Sequence, residues 1–180
     1  MKLRRTMWMV AGVALGVAWG AQAGLLIDRN EEPWVEEGVT FPAPPRSQDL
    51  RQFFVAANNP NSYWVDVATL SVGSDGVVRY ALVIRSPRGA ENRTYEGIRC
   101  ATGEHRLYAV ADANGEWRAS RNSEWGPIRF TTYNRAQAAL AQDFICDGVT
   151  LVGDAKAIRA KIEREGMRML TPSLDDRGPL

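Results

Sequence analysis

The sequence predicts an α+β fold: an antiparallel β-meander of about five strands, followed by two C-terminal helices packed on one face. Two strong hairpin turns, Asp75-Gly76 and Asn114-Gly115, indicate the meander, because glycine accepts the positive φ that tight turns require. The segment Val77–Arg85 alternates with a period of two, which is typical of a strand. After Asn134 the apolar residues follow at intervals of four, as expected for one stripe of a helix.

The predicted strands are separated by short turns, so consecutive strands should pair as antiparallel neighbours. They are Tyr63–Ala68, Val77–Arg85, Arg93–Cys100, His105–Asp112 and Trp117–Ser120, with Trp125–Phe130 as an open sixth candidate. Arginines alternate with apolar residues on the second face of the sheet, which predicts that this face is at least partly exposed to solvent.

Two helices are predicted after the strands. The first covers residues 134–146, with an apolar stripe formed by Ala136, Leu140 and Phe144. The second is capped by Asp154 and ends at Gly166. Residues 48–170 are therefore expected to form a single domain, and the polar residues 171–180 a flexible tail.

The first 23 residues are predicted to be a signal peptide. Lys2, Arg4 and Arg5 give a basic start, Met7–Trp19 is uncharged, and Ala21-Gln22-Ala23 is a small-x-small cleavage pattern. An uncleaved membrane anchor is the alternative, because the apolar run is only slightly shorter than the roughly 20 residues that span a bilayer. With cleavage, no membrane span is expected. The predicted location is the periplasm or the extracellular space of a bacterium.

Residues 24–47 are predicted to be an extended, proline-rich arm, because proline restricts its predecessor to extended conformations. Trp34 and Phe41 are unusual in a solvated linker and indicate that the arm is pinned to the domain. A proline-rich ligand for another domain is the alternative, since Pro-x-x-Pro segments are preformed for aromatic grooves.

The balance of basic and acidic residues gives no support for a nucleic-acid partner, and none is expected. Three of the 22 basic residues lie in the predicted signal, which leaves 19 basic against 21 acidic residues. Such a near-neutral balance offers neither the basic patch of a nucleic-acid-binding protein nor an attraction to anionic membranes.

Cys100 and Cys146 are predicted to form one structural disulfide, because exported chains fold in an oxidising compartment. A redox pair usually has a close C-x-x-C spacing, and a metal site requires more ligands. We therefore expect neither a metal nor a cofactor.

Catalytic motifs are weak. The single histidine, His105, has no accompanying serine or cysteine motif, and Gly73–Gly76 is a hairpin turn rather than a phosphate loop. No catalytic residue is predicted. Carboxylate chemistry stays open through the acids Asp66, Asp75, Glu96 and Glu124, because paired acids leave little trace in sequence.

The strand Arg93–Cys100 carries two further predictions. Alternation places Glu96 on the face that the helices cover, where we expect a structural polar anchor satisfied by an arginine or by backbone amides, with ligand binding as the alternative. Tyr95 and Arg99, with Arg79 on the neighbouring strand, lie on the other face. Together these three residues are predicted to form a binding patch suited to anionic or protein surfaces, with an ordinary solvated sheet face as the alternative.

The segments Asp75–Tyr80, Gly89–Asn92 and above all Tyr95–Cys100 resemble the cryptic neisserial protein 1 (CNP) family of exported bacterial proteins. The resemblance extends over roughly Trp34–Cys146. It implies an envelope protein and supplies no catalytic residues, because the family is functionally uncharacterised. The resemblance also implies a lipid anchor for some members, but no cysteine lies near the predicted cleavage site here.

The expected function is a periplasmic or secreted binding or interaction module without catalysis, with an unknown envelope protein or small ligand as its partner. Two alternatives stay open: a carboxylate-dependent hydrolytic enzyme, and a structural envelope protein that docks on a partner through its N-terminal arm.

Overall fold

The structure is a computed structural model that describes residues 33–129 and 133–170. The predicted signal peptide, the first part of the predicted arm and the predicted tail lie outside the described residues.

Strands of the main sheet follow one another in chain order as an antiparallel meander, which confirms the predicted fold class. They are β1 (Leu50–Phe53), β2 (Ser62–Val72), β3 (Val77–Arg85), β4 (Glu91–Arg99), β5 (Glu104–Ala111) and β6 (Trp117–Ala119). A short strand β7 (Gly126–Pro127) also pairs with β5. The two predicted hairpin turns are present, with positive φ at Gly76 and Gly115.

Strand β1 is absent from the sequence prediction. It pairs with β2 from Leu50 opposite Asp66 to Phe53 opposite Tyr63. Only its two end residues are buried, and they lie three positions apart, so the strand has no period-two pattern.

Strand β2 is longer than predicted because it continues through an irregularity between Asp66 and Ser71. The residues in this bulge leave the regular ladder and are held by side chains instead. The Thr69 hydroxyl accepts a hydrogen bond from the Ala81 amide at 3.0 Å, and Arg159 Nε donates to the Val67 carbonyl at 2.9 Å. A bulge of this kind breaks the alternation from which strands are predicted.

The first predicted helix is present in two parts. Helix α1 (Arg135–Leu140) continues directly as a π-helical turn over Ala141–Ile145. A small hairpin of β8 (Cys146–Asp147) and β9 (Thr150–Leu151) follows.

Helix α2 (Ala155–Leu170) begins after Asp154, whose carboxylate accepts the Ala157 amide at 2.8 Å, as expected for a helix cap. The predicted end at Gly166 is wrong, because the helix continues past it. A Cβ atom at Gly166 would lie 2.9 Å from the Gln52 carbonyl oxygen of β1. Glycine here permits close packing of the helix on the sheet, rather than termination.

The main core lies between the first face of the sheet and the helices, as predicted. Its largest fully buried side chains come from both layers and include Phe53, Leu70, Tyr80, Leu82, Leu140, Phe144, Ile158 and Ile162. The disulfide between Cys100 and Cys146 is present, with Cα atoms 5.7 Å apart, and ties the end of β4 to the chain that leaves the π-helical turn. No helix in the described ranges is long and apolar enough to cross a membrane.

Candidate functional site

An extended segment covers the second face of the sheet. Residues 34–45, here termed the strap, form neither helix nor strand. The Arg99 guanidinium carbon lies 3.7 Å from the centre of a Trp34 ring. Phe41 packs edge-on against Tyr95, with the two ring centres 6.2 Å apart. Trp34 and Phe41 thus both contact the domain, in agreement with the prediction that they pin the arm.

Glu36 is the polar centre of the strap. Its carboxylate accepts hydrogen bonds from the Tyr108 hydroxyl at 2.6 Å and from Trp125 Nε1 at 3.0 Å. Arg106 forms an ion pair with the same carboxylate, and Arg79 Nη2 lies 3.6 Å from Oε1. A single half-buried carboxylate is therefore surrounded by two cations and two neutral donors, which is a strong arrangement for holding a negative charge.

Asp75, in the turn before β3, forms a second contact with the strap. Arg79 donates to both of its carboxylate oxygens, at 2.6 and 3.2 Å, and the Glu37 amide donates to Oδ2 at 2.9 Å. Trp34 Nε1 donates to the backbone carbonyl of Asp75 at 2.8 Å. Burial alone would raise the pKa of Asp75, but the hydrogen bonds from Arg79, Glu37 and Val77 outweigh it and lower this pKa.

The C-terminal part of the strap is held by an aromatic side chain. Trp117 Nε1 in β6 donates to the Pro42 carbonyl at 2.7 Å, and the Trp117 ring lies 6.0 Å from Tyr95. The face below the strap thus combines arginine with aromatic residues from several strands.

All three residues of the predicted binding patch lie on this face. Arg79 is paired with Gly97 in the ladder, so Tyr95 and Arg99 flank its partner position on β4. Their predicted exposure is wrong: Arg79 is only 6 % exposed, Tyr95 4 %, and Arg99 is half-buried. The strap excludes water from this face, and its carboxylate and indole ring replace water as partners of the arginines.

Gly97 explains how Tyr108 reaches the strap. The ladder between β4 and β5 shifts register between Tyr95 and Glu96, and the Tyr108 ring lies across the neighbouring glycine. A Cβ atom at Gly97 would lie 2.6 Å from the Tyr108 hydroxyl oxygen and 2.9 Å from Cε2. Burial, together with the hydrogen bond to Glu36, raises the pKa of Tyr108, so its hydroxyl stays a proton donor.

Glu96 lies on the first face of the sheet, as predicted, and is 4 % exposed. Thr94 Oγ1 donates to Oε1 at 2.7 Å, while Gln137 Nε2 and the Tyr80 hydroxyl reach Oε2 at 2.8 and 3.3 Å. The predicted arginine or backbone partner is wrong, because three neutral side chains satisfy this carboxylate. Sequence alternation located Glu96 but could not show which helix residue faces it.

Two open cavities accompany these features. One, of about 420 Å³, lies beside the disulfide and is lined mainly by small and apolar groups of Cys100, Ile128, Ala138, Ala141 and Cys146. The other, of about 360 Å³, runs along the strap between Phe41, Glu37, Arg106, Tyr108, Ser120 and Ser123.

The acids whose pKa is raised do not converge on one site. Burial raises the pKa of Asp66, in the β2 bulge on the strap face, and that of Asp143, in the π-helical turn on the opposite side. No cluster of three or more histidine, cysteine or acidic residues that could hold a metal ion occurs in the part of the chain that the structure describes.

Comparison with known proteins gives one family and one curated relative. The CNP1-like family model matches residues 29–163, a range that includes the strap. The chain is 31 % identical over 114 residues to "Cryptic neisserial protein 1" of Neisseria gonorrhoeae. That alignment covers 57 % of this chain and 56 % of the relative, so the chain spans about half the length of the curated relative it matches. No solved structure matches the chain.

Proposed function

The chain belongs to the CNP1-like family, and from this premise we propose that it is an exported periplasmic binding module without catalytic activity of its own. The binding surface in this proposal is the strap face, which contains Arg79, Tyr95 and Arg99.

Export is supported by three observations. Residues 1–23 have the charge and apolar pattern of a signal peptide, and the described residues contain a disulfide. Structural disulfides persist mainly in oxidising compartments such as the bacterial periplasm. The matched relative is also a bacterial protein, from Neisseria gonorrhoeae.

Binding through the strap face is supported by one arrangement above all: a carboxylate held by Arg79, Arg106, Tyr108 and Trp125. Arginine and aromatic side chains contribute much of the binding energy at protein interfaces. A groove of about 360 Å³ runs beside the strap and leaves Phe41 accessible to a partner.

Catalysis has weaker support. Active sites usually bring acids with displaced pKa values together in a concave site. In this chain, Asp66 and Asp143 lie on opposite sides of the sheet instead. Docking of the arm on a partner is the other alternative from sequence, and in the structure Trp34 and Phe41 contact their own domain.

Fractionation and in-cell cross-linking test the proposal. We expect the mature protein in the periplasmic fraction, with Gly24 as its N-terminus by intact mass. A photoreactive residue at Val35, which is 76 % exposed on the strap, should cross-link a partner. The same residue at Val149, which is 70 % exposed on the β8–β9 hairpin, is the control and should not. Cytoplasmic protein, or equal cross-linking from both positions, would contradict the proposal.

A further inference from the structure

We infer that the strap occupies a recognition groove for extended acidic, proline-containing peptides, and that a segment of this kind from a partner envelope protein competes with the strap. The inference rests on the proposed binding function and names its ligand class.

Three of the four donors to the Glu36 carboxylate are held by contacts that do not involve the strap. Arg79 is held at 2.6 Å by Asp75, and Arg106 Nε donates to the Ser123 hydroxyl at 3.1 Å. The Tyr108 ring rests on Gly97. These donors therefore keep their positions when Glu36 leaves, and a preorganised site binds a new carboxylate without first having to order its own side chains.

The far end of the groove fits a proline-containing segment. The strap places Phe41-Pro42-Ala43-Pro44-Pro45 there, and Trp117 Nε1 donates to the Pro42 carbonyl at 2.7 Å. Domains that recognise proline-rich peptides use aromatic grooves of this type, because such peptides are extended before they bind. Glu36 and Pro42 thus mark the two ends of the expected ligand.

The strap can leave without breaking the sheet. Within the described ranges, residues 34–45 make no backbone-to-backbone hydrogen bond, so no ladder depends on them. Trp34 is 37 % exposed and Phe41 38 %, whereas the main core lies on the opposite face of the sheet. The strap is therefore attached as a peptide ligand is, through its side chains, the backbone amide and carbonyl of Glu37, and the Pro42 carbonyl.

The positive charge of the groove favours a ligand with an acidic residue. Arg79 and Arg106 both face the Glu36 carboxylate, whereas Asp75 balances only Arg79. Without the strap, the pocket keeps an unbalanced positive charge at Arg106, together with two neutral donors. An acidic residue followed by proline six positions later is the pattern that satisfies both ends of the groove.

Titration with a peptide in trans tests this inference on the full mature chain. The probe is a fluorescent peptide with the sequence of residues 33–45, and the protein variant is Glu36→Gln, whose own strap has lost its charged anchor. We expect the variant to bind the peptide at least about tenfold more tightly than wild type, because a tethered segment competes at a high effective concentration. A peptide with glutamine at the Glu36 position should bind the variant about tenfold more weakly than the acidic peptide, since hydrogen bonds to charged groups are the stronger ones.

Two further variants make the result decisive. Trp34→Ala removes the hydrogen bond to the Asp75 carbonyl and the contact with Arg99, while all four donors to the carboxylate remain in the chain. This variant should therefore also raise the affinity for the peptide. Glu163→Gln removes an exposed acid on α2, near Arg51, and should behave as wild type. Folding of each variant is checked by circular dichroism and by the intact disulfide.

A folded Glu36→Gln protein that does not bind the peptide, or that binds it no better than wild type does, would overturn the inference. A different experiment, the cross-linking in cells, tests the proposed function separately. A partner cross-linked from Val35 in cells, together with failure of the peptide, would leave the binding function in place and reject only the ligand class.

Discussion

Glu36 in the strap and Tyr108 in β5, 72 residues apart in sequence, are joined by a hydrogen bond of 2.6 Å. This contact couples the strap to the segment Tyr95–Cys100, which covers the second half of β4 and the residue after it, because the Tyr108 ring lies on Gly97 of β4. The residues of this segment contact different parts of the molecule. Tyr95 and Arg99 contact the strap, Glu96 and Ile98 face the helices, and Cys100 forms the disulfide.

Gly97→Ala should lower the free energy of unfolding by about 1–3 kcal/mol, the usual cost of inserting an atom into a packed site. The new Cβ atom would lie 2.6 Å from the Tyr108 hydroxyl oxygen, so the ring must move and loosen its hydrogen bond to Glu36. Urea unfolding of the oxidised protein measures the change.

Gly126→Ala is the matched control, because a Cβ atom at Gly126 would meet nothing within 4 Å. Its effect should stay within about 0.5 kcal/mol, as for most surface substitutions. Equal stability of the two variants would contradict the role assigned to Gly97.

Glu96→Ala should clearly lower the melting temperature, because it leaves Thr94, Gln137 and Tyr80 without a common acceptor. An unsatisfied buried donor costs about 1–3 kcal/mol, so the total loss should reach the upper part of that range. Glu96→Gln keeps an acceptor oxygen and should lose less. Glu116→Ala, at an exposed acid, is the control for removing a carboxylate. A wild-type melting curve for Glu96→Ala, combined with loss of partner binding, would make Glu96 a functional residue instead.

The disulfide prediction concerns stability rather than redox chemistry. Cys146→Ser should lower the free energy of unfolding by about 2–5 kcal/mol, because the Cys100–Cys146 bond restricts the unfolded chain across a separation of 46 residues. Alkylation under non-reducing conditions should label neither cysteine of the folded protein. Labelling of both thiols would contradict the bond.

Much of the sheet could be predicted from sequence, because its signals are local. The turn at Asp75-Gly76 and the alternation in Val77–Arg85 depend only on neighbouring residues. Strand β1 and the β2 bulge could not be predicted, since β1 owes its pairing to β2 and the bulge is held by Arg159 from α2. The end of helix α2 was placed wrongly at Gly166 for the same reason. The Gln52 carbonyl that requires a glycine at this position is distant in sequence.

For the candidate site, the sequence predicts which three strand residues share a face, but not that another segment covers them. Alternation correctly grouped Arg79, Tyr95 and Arg99 on one face, whereas their burial depends on a segment more than 30 residues upstream. Glu36 was missed entirely. The only signal that could have suggested it was its position between Trp34 and Phe41, in an arm expected to contact the domain.

As the pH falls into the acid range, Asp75 should lower the free energy of unfolding and Asp66 should raise it. The folded-state pKa of Asp75 is lowered from its ordinary value of 3.8, so its stabilising contribution is present above that pH and is lost as the pH falls through the folded-state pKa. The pKa of Asp66 is raised by burial, so its ionised form opposes folding at neutral pH, and this penalty disappears as the pH falls through the raised value.

Asparagine substitutions separate these two effects. Asp75→Asn should lower stability at pH 7 by about 2 kcal/mol, the typical strength of a hydrogen bond to a charged group, because Arg79 loses its charged partner. The same variant should lose less stability than wild type does between pH 4 and acidic conditions. Asp66→Asn keeps an oxygen for the Ala68 amide and removes the buried charge, so it should be at least as stable as wild type at pH 7. Urea unfolding of the three proteins across this pH range measures both effects. A stable Asp75→Asn variant with an unchanged acid profile would show that the Asp75–Arg79 pair does not hold the turn beneath the strap.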